Sequence, residues 1–594
     1  MDDNQEQVIK AVNGHYIVLA GPGCGKTHTI TEKIAYIFHK KVVPEPYKLL
    51  AVTFTDNAAR LMRTRLRSKG FIEWDRIWIG TYHSFALSIL KAYGSDVGIR
   101  EDFEIIEKSE RDKLIEDIVR KYYKYYLLKD IISQFERLKR EGVDTRNEEA
   151  WKGRHESDEL RHSFKEYNAV LRERNQVDFG DLILFSVILL KNSTLAKRVY
   201  TQTFRYVIVD EFQDSDSQQL EMICILSKSA IGSTIVGDDD QSIFGWRGAL
   251  RQNIDKIKGM LGATEIILSS NFRSDEVIIE AAQRVIQIDP DRRKKNIKAI
   301  SMERGRLYGY AFDDTAREAK YVAKQIQNIL QKRGPNELGE IAIIARTHYR
   351  AEPLIEALTE NSVPWFDRWR FDYKDSWETT LALGCIALSQ DPTASLPLNW
   401  VMTAIEDGGL AYYLGEQDAL EVARNIRDRI KNGLGHLQGN ENTLGLITEI
   451  IKEIIKKTAL DEMVQRTNNI EKMIECIRGE VEKRGMGLMQ VAERFLGHGA
   501  VQIISGHEAK GSEFDTIFFV GLEDGIIPDY RSCADVELLA EERRVFYVCL
   551  TRAKKVACLS YARHKMTKLG IIDNKPSRFL LHIPREFFTG TNIA

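Results

Sequence analysis

The sequence predicts an α/β protein made of two parallel-sheet cores, each interrupted by a mainly helical insertion. Three observations predict it. Short apolar runs of β type, each ending in polar residues, alternate with helical patterns. Two long stretches, 108–176 and about 376–495, leave that alternation for charged sequence of helical period. The length of 594 residues is far beyond one hydrophobic core, so on the order of four domains are expected.

Composition excludes several classes. The net charge of −2 rules out a globally basic nucleic-acid binder, so any polyanion must be met by local patches and stacking surfaces. The seven cysteines (Cys24, Cys224, Cys385, Cys476, Cys533, Cys549, Cys558) form no CxxC pair, which argues against a zinc ribbon or an iron–sulfur cluster and fits a reducing compartment. The opening MDDNQEQ has neither a basic n-region nor an apolar h-region, and no run approaches the roughly 18 apolar residues of a membrane span. A cytoplasmic protein without a membrane segment is expected.

Taken in order, the first informative stretch is YIVLAGPGCGKTHTI, residues 16–30. A strand over Ile17–Ala20 leads into Gly21, Gly23 and Gly25, then Lys26, Thr27 and a helix. Glycines allow a tight turn with N–H groups pointing inward, and the helix N-terminus adds partial positive charge. Lys26 reaches β/γ-phosphates, and the Thr27 hydroxyl suits Mg²⁺. Ala20 stands where the usual pattern has Gly, and an ordinary glycine-rich strand-to-helix turn is the alternative reading. Next come a strand at 49–54, a helix at 58–66 and a strand over 76–85 running into a loop. The 108–176 segment is an inserted helical subdomain, in which Tyr122, Tyr123, Tyr125 and Tyr126 read as helix-packing aromatics rather than base-stacking ones.

Strand character returns at 206–212, 233–240 and 264–272. In an open parallel sheet the carboxyl ends of such strands bind ligands. Asp210-Glu211 closes the first of them: Asp210 suits the metal shared with Thr27, and Glu211 suits orienting or deprotonating a water. Gln241 ends the second, where an uncharged amide can sense a γ-phosphate without competing for the metal. Phe244, Trp246 and Arg247 then offer aromatic faces beside a cation, a platform for unpaired bases, with a buried Trp246 as the alternative. A second α/β unit follows, with a helix at 317–330 and a strand at 340–346, the helical stretch 376–495, strands at 501–507 and 516–522, and a helix at about 537–553. There is no internal repeat and no low-complexity linker.

With these motifs in order, the chain resembles the UvrD/Rep/PcrA family of superfamily 1 DNA helicases over nearly its whole length. MDDNQEQVI resembles the adenine-reading Q motif and implies that role for Gln5, with Met1-Asp2 replacing the usual Leu-Asn. AGPGCGKT resembles the family P-loop, which itself begins with Ala; this implies nucleotide contacts for Gly21, Pro22, Gly23, Cys24, Gly25, Lys26, Thr27 and His28. TFTDNAARLM implies that Thr53, Phe54 and Thr55 lie on the DNA path, with Asp56-Asn57 in place of Asn-Lys. GTYHSF adds His83 to that path, and VDFGDLI resembles the short motif preceding the DEFQDS box. SSNFRS implies Phe272 against adenine and Arg273 as an arginine finger. SGHEAKGSEF implies His507 toward DNA and Lys510, Gly511 and Glu513 near nucleotide, with Ser512 for a usual Leu. EERRVFYVCLTRAKK implies Arg544 as a second finger, and PSRFLLHIP resembles the family's closing segment.

The resemblance implies two RecA-like P-loop NTPase domains with parallel sheets, each carrying a mainly helical inserted subdomain. The implied boundaries are 1–86 with 178–272, insertion 87–177, then 273–375 with 496–594, insertion 376–495. It implies ATP and Mg²⁺ as cofactors, single-stranded and tailed duplex DNA as partners, and 3′ to 5′ stepping. Arg273 and Arg544 lie far from Lys26 in sequence, so they complete its site only if the two cores face each other. The second insertion is short and lacks an RGIG-type duplex signature, Gly408-Gly409 being its poor substitute, and 368–380 follows the family pattern loosely. About ten residues follow the closing segment, so a motor working beside a separate nuclease or a repair or defence partner is expected. A DNA-sensing ATPase that regulates such a partner is the alternative function, and a nucleotide kinase is the remote one. The basic run 291–298 reads as a solvated loop.

Overall fold

A computed structural model describes residues 2–289, 292–301, 303–367, 377–393, 395–407, 419–434, 439–457, 499–567 and 570–593, with scattered positions between 470 and 491. The chain divides into two compact units, Met1–Ser269 and Ser270–Ala594.

In the first unit the elements run α1 (Asp3–Lys10), β1 (Gly14–Ala20), α2 (Lys26–His39), β2 (Lys48–Thr53), α3 (Asp56–Ser68), β3 (Ile77–Thr81) and α4 (Tyr82–Tyr93). A short parallel pair, β4 (Glu104–Ile105) and β5 (Gln176–Val177), closes the neck of an insertion built from α5 (Lys108–Tyr122), α6 (Leu128–Arg140) and α7 (Asp158–Glu173). Then come α8 (Phe179–Asn192), β6 (Phe204–Val209), β7 (Gly232–Gly237) and β8 (Thr264–Leu268). The main sheet is wholly parallel in the order β3-β2-β6-β7-β1-β8. Its central strands are apolar runs buried on both faces, as parallel sheets covered by helices require. Because β6 and β7 sit between β2 and β1, the carboxyl ends of β1, β6 and β7 are neighbours along one edge.

The strand at 76–85 does not run into a loop. It stops at Thr81, whose hydroxyl accepts the Ser84 N–H while Ser84 Oγ accepts the Thr81 N–H, and this reciprocal cap starts α4 at once. In the insertion, Tyr122, Tyr123 and Tyr126 pack against its hydrophobic core, and the Tyr122 hydroxyl donates to Glu166 at 2.6 Å. Tyr125, 84% exposed, is the exception to the packing expectation.

In the second unit β9 (Ser270–Asn271) pairs with β10 (Lys298–Ala299). That pairing corrects the reading of 291–298 as simply solvated: an extended chain leading to β10 alternates its faces, and Lys295 and Ile297 are buried. The main sheet has β11 (Arg306–Phe312), β12 (Ile341–Ala345), β13 (Trp365–Asp367), β14 (Val501–Ser505), β15 (Phe514–Phe519) and β16 (Ala553–Ala562). With the terminal strand Gly590–Thr591 it is seven-stranded, and every pairing is parallel. Both β11 and β16 escaped sequence reading. Strand β16 begins three residues after the helix Val536–Leu550, and Lys554-Lys555 disguises its first turn of alternation. The second insertion supplies helices Trp377–Gln390, Ser395–Asp407, Ala419–Leu434 and Asn440–Lys457 around their own apolar core. Residues 368–376 and the pair Gly408-Gly409 lie outside the described residues. Among the described residues, no single helix is long and apolar enough to cross a membrane.

Candidate nucleotide site and nucleic-acid interface

Strand β1 is buried from Ile17 to Ala20 and ends where Gly23 (φ 66°) and Gly25 (φ 74°) take left-handed conformations that a side chain would resist. Gly25 is the cap position of α2, and no side chain caps that N-terminus. The first N–H groups of α2 are therefore presented to whatever the loop encloses. Lys26 and Thr27 are the first two residues of the helix, and His28 follows on its more exposed side, 3.7 Å from Glu32. Gln5, buried on α1, donates from Nε2 to the Cys24 carbonyl at 3.1 Å, so α1 is tied to the loop.

At the end of β6, Asp210 is 2% exposed and its Oδ1 accepts the Glu211 N–H at 2.9 Å. Glu211 has φ 53°, a conformation that costs a non-glycine residue about 1–3 kcal/mol and is held only where the surroundings impose it. The kink turns its carboxylate toward the loop, with Oε1 lying 3.2 Å from Lys26 Nζ. Burial works against the Lys26 ammonium, but Glu211, Asp238 and Asp210 outweigh it and hold its pKa above the usual lysine value. Burial, and then the Glu211 charge, push the Asp210 carboxyl up to about 7. Three acidic side chains thus face one ammonium. This donor set, with the Thr27 hydroxyl next to Lys26 in the first turn of α2, fits a divalent cation and the phosphates it would accompany.

Gln241 is buried at the end of β7 and donates from Nε2 to Asp238 Oδ2 at 2.6 Å. It reaches Glu211 through one further residue that sequence reasoning did not single out. Gln213, wholly buried, donates to Glu211 Oε2 and accepts the Asp238 N–H at 2.9 Å. Lys26, Glu211, Gln213, Asp238 and Gln241 therefore form one continuous polar chain across the ends of β1, β6 and β7.

The aromatic residues expected on the DNA path gather on the same edge. Phe54, just past β2, stacks on Phe244 with centroids 5.7 Å apart and planes at 16°. Trp246 lies edge-on to Phe244 at 6.5 Å and is 61% exposed, so it is not the buried tryptophan of the alternative reading. The Arg247 guanidinium covers the Trp246 ring at 4.6 Å and the Phe244 ring at 5.2 Å. Thr55 caps α3 and is exposed, whereas Thr53 is fully buried with its hydroxyl on the Thr55 carbonyl at 2.9 Å. Thr53 thus shapes the loop and does not face solvent. His83, half-buried in the first turn of α4, stays neutral at pH 7 because burial lowers its pKa to about 4. Its ring meets Phe179 edge-on at 5.8 Å. Phe179, 46% exposed and part of VDFGDLI, is a second residue that sequence reading passed over.

The second unit brings together Arg273 and Glu513, with Arg273 Nε donating to Glu513 Oε2 at 2.8 Å. Burial of Glu513 opposes its ionisation, but Arg273, Lys554 and Arg552 hold its carboxyl below the ordinary range. Phe272 is 49% exposed beside Arg273, a free face for stacking. Arg544, 8% exposed, is paired with Asp289 at 3.2 Å. His507 and Lys510 are half-buried in the turn after β14, and Gly511 there has φ 85°.

Comparison with known families decides what this arrangement belongs to. The model of the UvrD/REP helicase N-terminal domain matches residues 1–261, and that of the UvrD-like helicase C-terminal domain matches 266–394 and 418–564. The chain belongs to the UvrD/REP helicase family. DNA helicase II of Haemophilus influenzae is 31% identical over 99% of this chain and 87% of its own length. ATP-dependent DNA helicase PcrA of Bacillus subtilis is 28% identical, and that of Staphylococcus aureus strain Mu50 27%, each over 99% of this chain and 86% of the relative. The two UvrD/REP domain models meet between 261 and 266, close to the boundary between the compact units at Ser269. Within the UvrD/REP N-terminal domain, the Tyr82 hydroxyl lies 2.9 Å from Ser215 Oγ, which joins the His83 helix to the DEFQDS box.

Proposed function

We propose that the chain hydrolyses ATP at this sheet edge and uses the hydrolysis to step 3′ to 5′ along single-stranded DNA, separating duplex ahead of it. One observation carries the reading: the Lys26–Glu211 pair and the Phe54–Phe244–Trp246–Arg247 cluster occupy the carboxyl ends of neighbouring strands of one sheet. A shift of a few tenths of an ångström at one reaches the other through packed backbone. Its relatives named ATP-dependent DNA helicase PcrA agree with this chemistry.

In this proposal the loop from Gly21 through Pro22, Gly23, Cys24 and Gly25 cradles the phosphates, and Gln5, His28 and Phe272 hold the adenine. Lys26 leaves Glu211 for the β/γ-phosphates, and the released Glu211 carboxylate takes the proton of the attacking water. Thr27 and Asp210 would hold Mg²⁺, which supplies charge neutralisation when bound. Gln241 reports the γ-phosphate to the Gln213–Glu211 chain. Arg273, Arg544 and Glu513 complete the site as the two RecA-like units close on the nucleotide, Arg273 exchanging Glu513 for phosphate. Thr55, Phe54, His83, Phe244, Trp246, Arg247 and His507 grip the strand, and alternating closure and release moves it.

Strand displacement on duplexes with a 3′ or a 5′ single-stranded tail tests this, with ATP and with Lys26→Ala as the control. The expected result is ATP-dependent unwinding of the 3′-tailed substrate alone. Unwinding of only the 5′-tailed duplex would reverse the polarity, and DNA-independent hydrolysis would remove the motor.

A further inference from the structure

Lys33 is the seventh residue after Lys26, two turns along α2, and it is completely buried. Its Nζ donates to the carbonyls of Val8 at 2.6 Å and Ala11 at 2.5 Å, the last turn and the C-cap of α1. The ring of Tyr16 lies 5.5 Å from that nitrogen and the ring of Tyr206 5.8 Å; among the described residues no carboxylate is paired with it. An ammonium seldom enters an apolar interior without a counter-ion. Here the negative end of the α1 dipole and two carbonyls at the C-terminal end of α1 take that place, the Ala11 oxygen also accepting the Tyr206 hydroxyl at 3.4 Å. Burial draws the Lys33 amine down to about 7, while these carbonyls and ring faces favour its charged form.

The opposite end of α1 is tied as well. Gln5 accepts the Asp2 N–H on Oε1 at 3.2 Å and donates from Nε2 to the Cys24 carbonyl at 3.1 Å. A Cβ on Gly25 would fall 2.7 Å from that Nε2, so the loop closes directly on the amide. An amide has two donors and two lone pairs, and each end of Gln5 can take one further partner. A purine edge that offers one donor and one acceptor, as adenine N6 and N7 do, matches both; guanine offers two acceptors and does not.

We infer that Lys33 is a positioning residue for base selection: it clamps the C-terminus of α1 to α2, so that Gln5 at the other end is held in register with the glycine loop. The inference rests on the reading of Gln5 as the adenine contact. Lys33, buried beneath the C-terminal end of α1, acts through α1 and Gln5 rather than on the nucleotide itself. Its loss leaves the Lys26–Glu211 chemistry in place and loosens the selection of adenine over guanine. The charge matters because it offsets both carbonyls at once, which a neutral side chain of similar length does not do.

The test measures kcat/KM for ATP and GTP, with saturating single-stranded DNA, in full-length wild type, Gln5→Ala, Lys33→Gln, Lys33→Arg and the Gln5→Ala/Lys33→Gln double variant. The expected results are an ATP/GTP ratio reduced about tenfold in Gln5→Ala and several-fold in Lys33→Gln, chiefly through a higher KM for ATP. The double variant should fall no further than Gln5→Ala, because both act on one contact. Lys33→Arg, which keeps a buried cation, should retain most of the discrimination. A lower melting temperature with a wild-type ratio in Lys33→Gln would make Lys33 a purely structural residue and overturn the inference. So would a loss in Lys33→Arg equal to that in Lys33→Gln. An unchanged ratio in Gln5→Ala would refute the underlying reading of Gln5, and the inference with it. If Lys33→Gln does not fold, Lys33→Met, which fills the same volume without donors, replaces it under the same criteria.

Discussion

Lys26 Nζ and Glu211 Oε1 stand 3.2 Å apart, so the residue assigned to the phosphates and the residue assigned to the water neutralise each other across the ends of β1 and β6. Removing either partner leaves the other in a buried, charged environment, and the two removals should differ in kind. Glu211→Gln should keep or tighten ATP binding, since Lys26 loses a competitor, while hydrolysis falls by about 10²–10⁴ as for loss of a general base. Lys26→Ala should lose nucleotide binding and hydrolysis together. Equilibrium titration with a non-hydrolysable ATP analogue, set beside steady-state turnover, separates them.

The exposed Trp246 face, backed by Arg247 at 4.6 Å, is available to a base. Trp246→Ala should weaken single-strand binding by about 1–3 kcal/mol. DNA-stimulated turnover should fall relative to turnover without DNA. Affinity should decline with salt at a slope of about −0.7 per phosphate contact, and Arg247→Ala should make that slope shallower. Fluorescence anisotropy of a labelled oligonucleotide across a salt series reads both effects; unchanged affinity in Trp246→Ala would remove the platform.

Arg273 and Arg544 are both engaged by carboxylates of their own unit, Glu513 and Asp289. As fingers they must exchange those partners for phosphate. Arg273→Ala and Arg544→Ala should each reduce the single-turnover hydrolysis rate by about 10³–10⁵. A change of less than fivefold in either would leave that arginine a structural residue of the second unit.

Glu523 makes a prediction about stability. Arg350 Nη2 donates to both Glu523 and Glu318 at 2.7 Å, so two buried carboxylates share one cation, and Glu523 Oε2 is buried without a hydrogen-bond partner. Burial pushes the Glu523 carboxyl from 4.5 up to about 7, with Glu318 adding to the shift and Arg350 opposing it. The folded state therefore holds this proton more tightly than the unfolded chain does. Its contribution to stability is complete below about pH 4.5 and is lost as pH rises through about 7. At pH 8 Glu523→Gln should melt about 2 °C or more above wild type, with the difference vanishing near pH 5. Thermal melts at the two pH values check it.

Much of the first unit was legible in sequence because its signals are local. The strands ending at Ala20, Val209 and Gly237 are apolar runs broken by glycine or acid, although the last two stop three residues short of the expected 212 and 240, and the glycine spacing of 21, 23 and 25 dictates a turn whatever surrounds it. The start of α4 at Tyr82 was not legible, because the Thr81–Ser84 cap competes with continued strand pairing and only the finished sheet shows where pairing stops. Strand β16 was hidden by Lys554 and Lys555, whose ammonium groups find Glu340, Glu513 and Asp515 only after folding.

The amino-acid order by itself determined which groups are present to do chemistry: the glycine loop with its lysine, the Asp210-Glu211 pair, the aromatic pair Phe244 and Trp246 with Arg247, and the alternation that builds parallel sheets. Tertiary structure alone decided their engagements. It set Glu211 on Lys26, placed Gln213 between two strand ends, stacked Phe54 on Phe244 across 190 positions of chain, and put an ammonium under the last turn of α1. The reason is physical. A backbone turn or a strand is stabilised by neighbours within a few residues, whereas the partner of a buried polar group is whichever group the strand order β3-β2-β6-β7-β1-β8 brings within about 3 Å of it.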